Sequence, residues 1–488
     1  MPTTIQRSFG TVRARAIANR LGLIAIFASV LIGCEAPLRV PHLGGIYDAL
    51  AQRSDALRNP VIVIPGIVGS RLVQSDSRRV VWGAFGGEHA DLGSDAGAAL
   101  LALPMRRGAA LRELRDDVVS DGVLDRVKLR LFGLPLELRA YANILATLGV
   151  GGYRDEQLAR AGAVDYGDSH FTCFQFDYDW RRDNVENAAR LHEFILQRRA
   201  YVQAEFKRRF GIDRHVKFDI VAHSMGGLIA RYYLMYGDAD VLDAPPADVP
   251  WSGVAYVERV VLVGTPSGGS VKSVLNLAQG IDLGPTLPHV ESSVIATMPS
   301  VYQLMPRGDS GAVRDAATGE ALDVFDAATW ERYGWGPAGP RQDRTLRALL
   351  PGVGEASERR AIALEHLSAC LDRAAKFHAA LVRPTRRPES LELHLVAGDA
   401  METPAVVEAD QRSGTLRVAA SGPGDGTVLR RSALFNDAAR TADGSRRAAG
   451  IEWTGVTFVF SDHLGMTKDP HFADNVLYLL LERPRRSE

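Results

Sequence analysis

The stretch from Phe218 to Arg231 holds the residue best suited to nucleophilic chemistry. An apolar, β-branched run leads to Ser224, and a helical run begins directly after it. A sharp turn of this kind lifts a serine hydroxyl out of the sheet, provided that small residues stand two positions before and after it. Ala222 and Gly226 meet that requirement. The pattern favours Ser224 as a catalytic nucleophile over a coincidental strand, turn and helix.

A nucleophilic serine needs a base within hydrogen-bond reach and an acid that orients the base. A serine between a strand and a helix is typical of α/β-hydrolases, where the chain order is serine, acid, histidine. His463 follows an apolar run directly and is the favoured base, with His471 as the competitor at the start of the last helical run. Asp425 stands in a Gly-rich turn and is the favoured acid, with Asp399 as the alternative.

Acyl chemistry also requires two backbone N–H groups that point at the developing oxyanion. One is expected from Met225, the residue after the nucleophile. The other is expected from the turn that follows the first apolar run, at Gly66 and Ile67, where glycine lets the backbone approach closely. Ile67 is the predicted second donor.

Alternating strands and helices predict a mainly parallel sheet flanked by helices on both faces. We expect a core formed by residues 60–269 and 389–488. Residues 270–388 lie between two predicted strands and are interpreted as a cap or lid subdomain, and the Gly- and Ala-rich residues 83–118 as a mobile excursion. The predicted strands are Pro60–Pro65, His170–Tyr178, Phe218–Ala222, Val257–Gly264, Leu391–Ala397 and Val456–Phe460; the predicted helices are Asn184–Phe210, Glu355–Leu381 and His471–Leu481.

The N-terminal residues have the pattern of a secretory signal peptide. Four arginines precede the apolar run Leu21–Gly33, which is too short to cross a bilayer comfortably as a helix. The run ends Leu31-Ile32-Gly33-Cys34, which resembles the lipobox of bacterial lipoproteins. The resemblance implies a signal peptide over 1–33, acylation of Cys34, a tether over 34–59, and an extracytoplasmic protein anchored to a membrane surface. The alternative is an ordinary secreted protein with a chance cysteine.

The composition of the chain gives no reason to expect nucleic acid, a metal or another cofactor as a partner. The 488 residues carry a net charge of -1, which gives no reason to expect binding to nucleic acid. Besides Cys34, the chain has Cys173 and Cys370, which are interpreted as buried thiols with a disulfide as the alternative. No Cys and His spacing suits a metal, so neither a metal nor another cofactor is expected.

Seven motifs, in order over residues 60–481, resemble the lecithin:cholesterol acyltransferase family with its lysosomal phospholipase and phospholipid:diacylglycerol acyltransferase relatives. The resemblance implies an α/β-hydrolase with a cap, which acts on acyl esters of lipids through an acyl-enzyme and passes the acyl group to water or to a lipid alcohol. The chain departs from the family at Ile67, where many relatives carry an aromatic residue. It also lacks the cysteine pair of a membrane-binding loop. The motifs are Val63–Gly66, Tyr178–Arg182, Ala222–Gly226, Gly264–Ser270, Ser300–Pro306, Gly424–Val428 and Asp462-His463.

One motif and the type of activity each leave alternatives open. Asp179 and Arg181 form either a buried pair that stiffens a loop or, with Trp180, a group that shapes the acyl pocket or supports the oxyanion turn. The favoured activity is a lipid acyl hydrolase or O-acyltransferase. The alternatives are an esterase for non-membrane substrates and a non-catalytic surface lipoprotein.

Overall fold

A computed structural model describes residues 47, 51, 58–83, 91–124, 127–131, 134–138, 141–282, 289–435, 439–440, 446–447 and 450–485. These residues belong to one compact unit that begins at Leu43. The predicted signal peptide, Cys34 and nearly all of the tether lie outside the described residues. Within the described ranges, none of the helices has the length and apolar character needed to cross a membrane.

The centre of the fold is a sheet of six parallel strands, as the sequence predicts. In chain order, and numbered β1 to β6, these are Val61–Ile64, Cys173–Gln175, Phe218–His223, Val257–Val263, Glu392–Gly398 and Gly455–Val459. Across the sheet the order is β6-β5-β4-β3-β1-β2. The central strands are continuous runs of buried, mostly β-branched residues, which is the pattern of a sheet covered on both faces.

The two faces of the sheet enter different hydrophobic clusters because side chains alternate along a strand. On β1, Ile62 and Ile64 pack into the cluster that contains the helices Asn184–Phe210 and Met225–Tyr236. Val61 and Val63 pack into the cluster that contains Ala142–Val150 and Pro470–Leu477. Helices therefore cover both faces.

The longest helix illustrates how local chemistry sets its ends. It begins at Asn184, where the side chain of Asp183 accepts a hydrogen bond from the N–H of Val185 at 2.9 Å. It ends at Gly211, whose φ of 67° is the left-handed conformation that glycine adopts at low cost. The predicted bounds of this helix, Asn184 to Phe210, are confirmed.

Residues 270–388 lie between β4 and β5, as predicted for the insertion. The described residues of this segment contain six α-helices, Val271–Gln279, Ser292–Ile295, Pro299–Tyr302, Ala327–Tyr333, Asp343–Leu349 and Ala356–Leu381. The described part of the segment 83–118 includes the helix Asp95–Leu101, which packs on Asp343–Leu349. Its predicted mobility stays a prediction.

Smaller elements complete the described chain. The remaining α-helices are Glu156–Arg160 and Arg430–Leu434, and a π-helical turn, Tyr478–Glu482, follows Pro470–Leu477. Two three-stranded sheets consist of Ser70–Gln74, Val80–Trp82 and Val118–Val123, and of Val313–Asp315, Met401–Ala409 and Leu416–Gly424. Three two-stranded ribbons are Val127–Leu131 with Leu134–Leu138, Ile281–Asp282 with His289–Val290, and Ala439–Arg440 with Arg446–Arg447.

Candidate active site

The oxyanion turn, Ser224 and His463 follow the carboxyl ends of parallel strands, where open α/β sheets bind their ligands. The turn at Gly66 and Ile67 follows β1, Ser224 follows β3, and His463 lies four residues beyond the end of β6. Asp425 follows the strand Leu416–Gly424, which lies between β5 and β6 in the chain. The fold thus brings together residues that are more than two hundred positions apart.

Ser224 lies on a strained turn between β3 and the helix Met225–Tyr236. Its φ of 52° and ψ of −123° are unusual for a residue with a side chain. Close contacts leave no room for a side chain at Gly226, after the serine, or at Gly66 of the facing turn. A Cβ on Gly226 would overlap the carbonyl oxygen of Pro65, and a Cβ on Gly66 would lie 2.8 Å from the Cβ of Ser224. The geometry is that of a nucleophile elbow.

Ser224, His463 and Asp425 form a continuous hydrogen-bonded chain. Nε2 of His463 lies 2.9 Å from Oγ of Ser224, and Nδ1 of His463 lies 2.8 Å from Oδ2 of Asp425. The carboxylate can only accept, so Nδ1 carries a proton and Nε2 is free to accept the proton of the serine. The arrangement provides a nucleophile, a base and an orienting acid within direct reach.

The environment of Asp425 keeps its carboxyl ionised. Burial opposes the charge, but hydrogen bonds from His463 and from the N–H groups of Thr427 and Val428 more than compensate, so the pKa of Asp425 lies below its usual value. The backbone N–H of His463 also donates to the carbonyl oxygen of Asp425 at 2.9 Å. The acid loop and the histidine loop therefore hold each other in place.

The alternative base His471 and the alternative acid Asp399 do not take part in the hydrogen-bonded chain of Ser224. His471 is exposed, and its Nδ1 lies 2.9 Å from the carboxylate of Asp469 rather than near the serine. Asp399 binds Arg430 at 3.2 Å and makes no hydrogen bond to His463 in the described structure. The geometry thus places His463 and Asp425, and neither alternative, beside Ser224.

The backbone N–H groups of Ile67 and Met225 have no hydrogen-bond acceptor among the described residues. Both flank the serine, because the turn after β1 packs against Ser224 at Gly66, and Met225 is the first residue of the elbow helix. The N–H of Gly69 donates to the carbonyl oxygen of Gly66 at 3.1 Å and tightens the turn. Two unpaired donors beside a nucleophile are the requirement for an oxyanion hole.

The alternatives left open for Asp179, Trp180 and Arg181 can be compared with the contacts of this segment. Arg181 and Asp179 form a buried bidentate ion pair, with nitrogen–oxygen distances of 2.8 and 2.9 Å. Tyr178 instead supports the oxyanion turn, since its hydroxyl donates to the carbonyl oxygen of Pro65 at 2.8 Å. Trp180 lines the cavity above the serine. The pair stiffens the loop, while its neighbours contact the turn and the cavity.

A cavity of about 530 Å³ opens onto Ser224 and His463. Its surface is predominantly apolar, and its size is within the usual range for pockets that bind organic ligands. The walls are formed by side chains of the core and, opposite them, of the insertion. Examples are Trp82, Leu101 and Trp180 from the first group and Ile295, Met298 and Val301 from the second.

The sequence did not identify several residues around this site. Cavity residues such as Trp82, Leu101, Ile295 and Met298 lie outside the seven motifs, so no local signal marks them. Cys173 and Cys370 are both free and buried, in agreement with buried thiols rather than a disulfide. Within the described ranges, no group of three or more His, Cys, Asp or Glu side chains is arranged to hold a metal ion.

Comparisons with known proteins concern the family and the fold of the chain. Residues 145–333 match the family described as lecithin:cholesterol acyltransferase. The match includes Ser224 and the segment 178–182, whereas Asp425 and His463 lie beyond it. No curated protein matches the chain.

Solved structures are similar over most of the chain. The structure titled "The crystal structure of Tle4-Tli4 complex" is 16% identical, with 87% of this chain and 98% of that chain covered and a TM-score of 0.52. Lipase BlEst2 of Bacillus licheniformis in its mature form is 13% identical, with coverages of 88% and 94% and a TM-score of 0.31. Lipase 1 from Pelosinus fermentans is 12% identical, with coverages of 88% and 99% and a TM-score of 0.33. The chain has the α/β-hydrolase fold, and its resemblance to the lecithin:cholesterol acyltransferase family is confirmed over residues 145–333.

Proposed function

We propose that the protein is a serine-dependent lipid acyl hydrolase or O-acyltransferase that works through an acyl-enzyme. The observation that carries the proposal is the hydrogen-bonded chain of Ser224, His463 and Asp425 at the base of a predominantly apolar cavity. An apolar cavity suits the acyl chain of a lipid ester, and the triad suits attack on its carbonyl carbon.

In the proposed reaction, Oγ of Ser224 attacks the ester carbonyl while Nε2 of His463 takes the hydroxyl proton. Asp425 stabilises the imidazolium and holds its tautomer. The N–H groups of Ile67 and Met225 donate to the oxyanion, and each such donor is worth on the order of 10²- to 10³-fold in rate. His463 then protonates the departing alcohol and an acyl-enzyme remains. Water or a lipid alcohol, deprotonated by His463, attacks the acyl-enzyme; the bond to Oγ of Ser224 breaks as His463 returns the proton to Oγ, and an acid or a new ester is released.

The test incubates the full chain with phosphatidylcholine vesicles, with and without a long-chain alcohol or a sterol, and resolves the products by mass spectrometry. Ser224→Ala is the control. Free fatty acid alone would identify a phospholipase, and an ester that requires the added alcohol would identify an acyltransferase. Turnover of short soluble esters only would replace the proposal by the esterase alternative. A folded wild type that is inactive on all esters would favour a non-catalytic lipoprotein.

We also propose that Cys34 is acylated and anchors the protein to a membrane surface outside the cytoplasm. The motif Leu31-Ile32-Gly33-Cys34 after the apolar run supports this proposal. The measurement is the mass of the N-terminal peptide from protein made in a bacterium that processes lipoproteins. A diacylated or triacylated Cys34 is expected, together with release of Cys34→Ala from the membrane fraction. An unmodified cysteine would contradict the proposal.

A further inference from the structure

A second hydrogen-bonded chain runs beside the catalytic one. It starts at the oxyanion turn, where the N–H of Gly66 donates to the hydroxyl of Tyr141 at 2.8 Å. The same hydroxyl lies 3.2 Å from Nδ1 of His223, the residue before the nucleophile. Nε2 of His223 lies 3.0 Å from the carbonyl oxygen of His463. The chain thus connects the oxyanion turn with the backbone of the catalytic histidine.

The acceptors in this chain fix the position of every proton. The carbonyl oxygen of His463 can only accept, so Nε2 of His223 carries a hydrogen. Burial, reinforced by the neighbouring His463, lowers the pKa of His223 to about 3, so the ring is neutral and its Nδ1 is an acceptor. The hydroxyl of Tyr141 therefore donates to Nδ1, and burial raises the pKa of this tyrosine, which keeps the hydroxyl protonated. Each donor faces an acceptor.

The same assignment excludes His223 as the general base. Its Nδ1 accepts from Tyr141 and its Nε2–H is bound to a carbonyl oxygen, so neither nitrogen is free to take a proton from Ser224. His463 is the imidazole that faces the serine. Any contribution of His223 to the reaction must pass through the groups that it holds.

Packing shows how tightly these groups are held. The rings of Tyr141 and His223 meet edge to face with centroids 5.7 Å apart, and the rings of His223 and His463 are 4.8 Å apart. A Cβ on Gly66 would lie 3.3 Å from Nδ1 of His223, so the turn rests directly on this side chain. Tyr141 and His223 are both buried.

His463 depends on this support because it lies in a loop after β6 rather than in a regular element. Its backbone is held at both ends. The N–H donates to the carbonyl oxygen of Asp425, and the carbonyl oxygen accepts from His223. Loss of the second contact frees one end of the residue whose ring must stay 2.9 Å from the nucleophile.

We propose that Tyr141 and His223 are positioning residues. They fix the position of the oxyanion turn relative to the catalytic histidine, on either side of Ser224. The proposal rests on the proposed function, because it concerns residues that act through the oxyanion donors and His463. It predicts that the two side chains affect the chemical step more than the binding of substrate, since their polar atoms are bound to the oxyanion turn, to each other and to the backbone of His463.

The test measures kcat and KM for a soluble p-nitrophenyl ester. Tyr141→Phe removes only the hydroxyl and is expected to lower kcat about 10- to 100-fold with KM changed less than about threefold, as for small misplacements of catalytic groups. The matched control is Tyr236→Phe, which removes another buried hydroxyl that donates to a backbone carbonyl at 2.8 Å. It is expected to lose similar thermal stability and to retain wild-type kcat.

A second series examines His223 and provides a rescue. His223→Leu is expected to lower kcat about 100-fold. His223→Gln restores an N–H donor near the carbonyl oxygen of His463 and is expected to recover at least about tenfold of that loss. The double variant Tyr141→Phe, His223→Leu is expected to lose little more than His223→Leu alone, because the two side chains belong to one chain.

The outcomes separate this proposal from the proposed function. If wild type hydrolyses the ester and Ser224→Ala does not, the serine chemistry stands. Wild-type kcat in Tyr141→Phe, an equal loss in Tyr236→Phe, or a glutamine variant no better than leucine would then overturn the positioning role. A wild type without turnover dependent on Ser224 would overturn both.

Discussion

Replacement of Ser224 by glycine is expected to give a more stable protein than replacement by alanine, although both remove the nucleophile. Ser224 has a φ of 52° and a ψ of −123°, a conformation that costs a residue with a Cβ roughly 1–3 kcal/mol. Glycine adopts this conformation without that cost, but its greater freedom in the unfolded chain costs about 0.5–1 kcal/mol. The difference leaves glycine more stable than alanine at this position by about 1 kcal/mol.

The comparison with alanine isolates the backbone strain. Ser224→Ala and Ser224→Gly both lose the hydrogen bond of 2.9 Å to His463, and both are inactive, so they differ only in the Cβ. The assay is urea unfolding of the two variants, followed by circular dichroism, with the free energy of unfolding taken by linear extrapolation.

A matched pair at Ser273 gives the opposite sign. Ser273 lies in the helix Val271–Gln279, and its hydroxyl donates to a backbone carbonyl at 3.2 Å, so both variants again lose one hydrogen bond. Here alanine is expected to be more stable than glycine by about 1 kcal/mol, the usual helix preference. If Ser224→Gly proves no more stable than Ser224→Ala while the Ser273 pair behaves as expected, the argument that the elbow stores strain is refuted.

Three further predictions concern the acid, the pH dependence of stability and the elbow. Asp425→Asn places an N–H donor against the imidazole, which must change tautomer, so kcat on a soluble ester should fall on the order of 10⁴-fold, whereas Asp399→Asn should stay within about threefold. Burial lowers the pKa of His223 to about 3 and that of His366 to about 4, so both stay neutral in the folded protein while the unfolded chain takes up protons below its ordinary pKa of 6.5. The stability contributed by these two neutral histidines is therefore fully present above that pH and is expected to fall in acid by about 2.7 kcal/mol per pH unit around pH 5, in urea titrations; His366→Gln should lower the measured slope by about half of that amount. Gly226→Ala places a Cβ against a backbone carbonyl oxygen of the oxyanion turn and is expected to cost about 1–3 kcal/mol in the same assay; an unchanged midpoint would contradict the close contact.

Much of the core could be predicted because long buried runs leave a clear local pattern. The strand predicted at Leu391–Ala397 is found at Glu392–Gly398, and the helix predicted at Glu355–Leu381 is found at Ala356–Leu381. The nucleophile turn was identifiable for a related reason. Its backbone tolerates only small residues beside Ser224, so the constraint is visible in the sequence itself.

The surroundings of the acid were harder to predict. Asp425 follows the hairpin formed by Met401–Ala409 and Leu416–Gly424, which the sequence did not indicate. Burial alternates along the first strand as expected for a sheet with one solvent face, but most of its inward positions are small or polar, such as Thr403 and Ala405. Alternating burial is recognisable in a sequence only when the buried residues are much more apolar than the exposed ones, and small or polar residues do not give that contrast. The acid was therefore assigned from chain order rather than from its structural element.

Residues that act through tertiary contacts left no local pattern at all. Tyr141 lies 82 positions from His223 and 75 from Gly66, and only the folded chain places its hydroxyl between them. The same is true of cavity residues from the insertion, such as Ile295 and Met298, which only the folded chain brings to the site. The contrast between residues marked by motifs and residues placed by tertiary contacts matters for the reaction. The triad activates water and an alcohol by the same proton transfer, so the triad alone does not select the acceptor. In the proposed reaction, the choice between hydrolysis and acyl transfer then depends on which acceptor the cavity admits, and therefore on the side chains that line the cavity from both the core and the insertion.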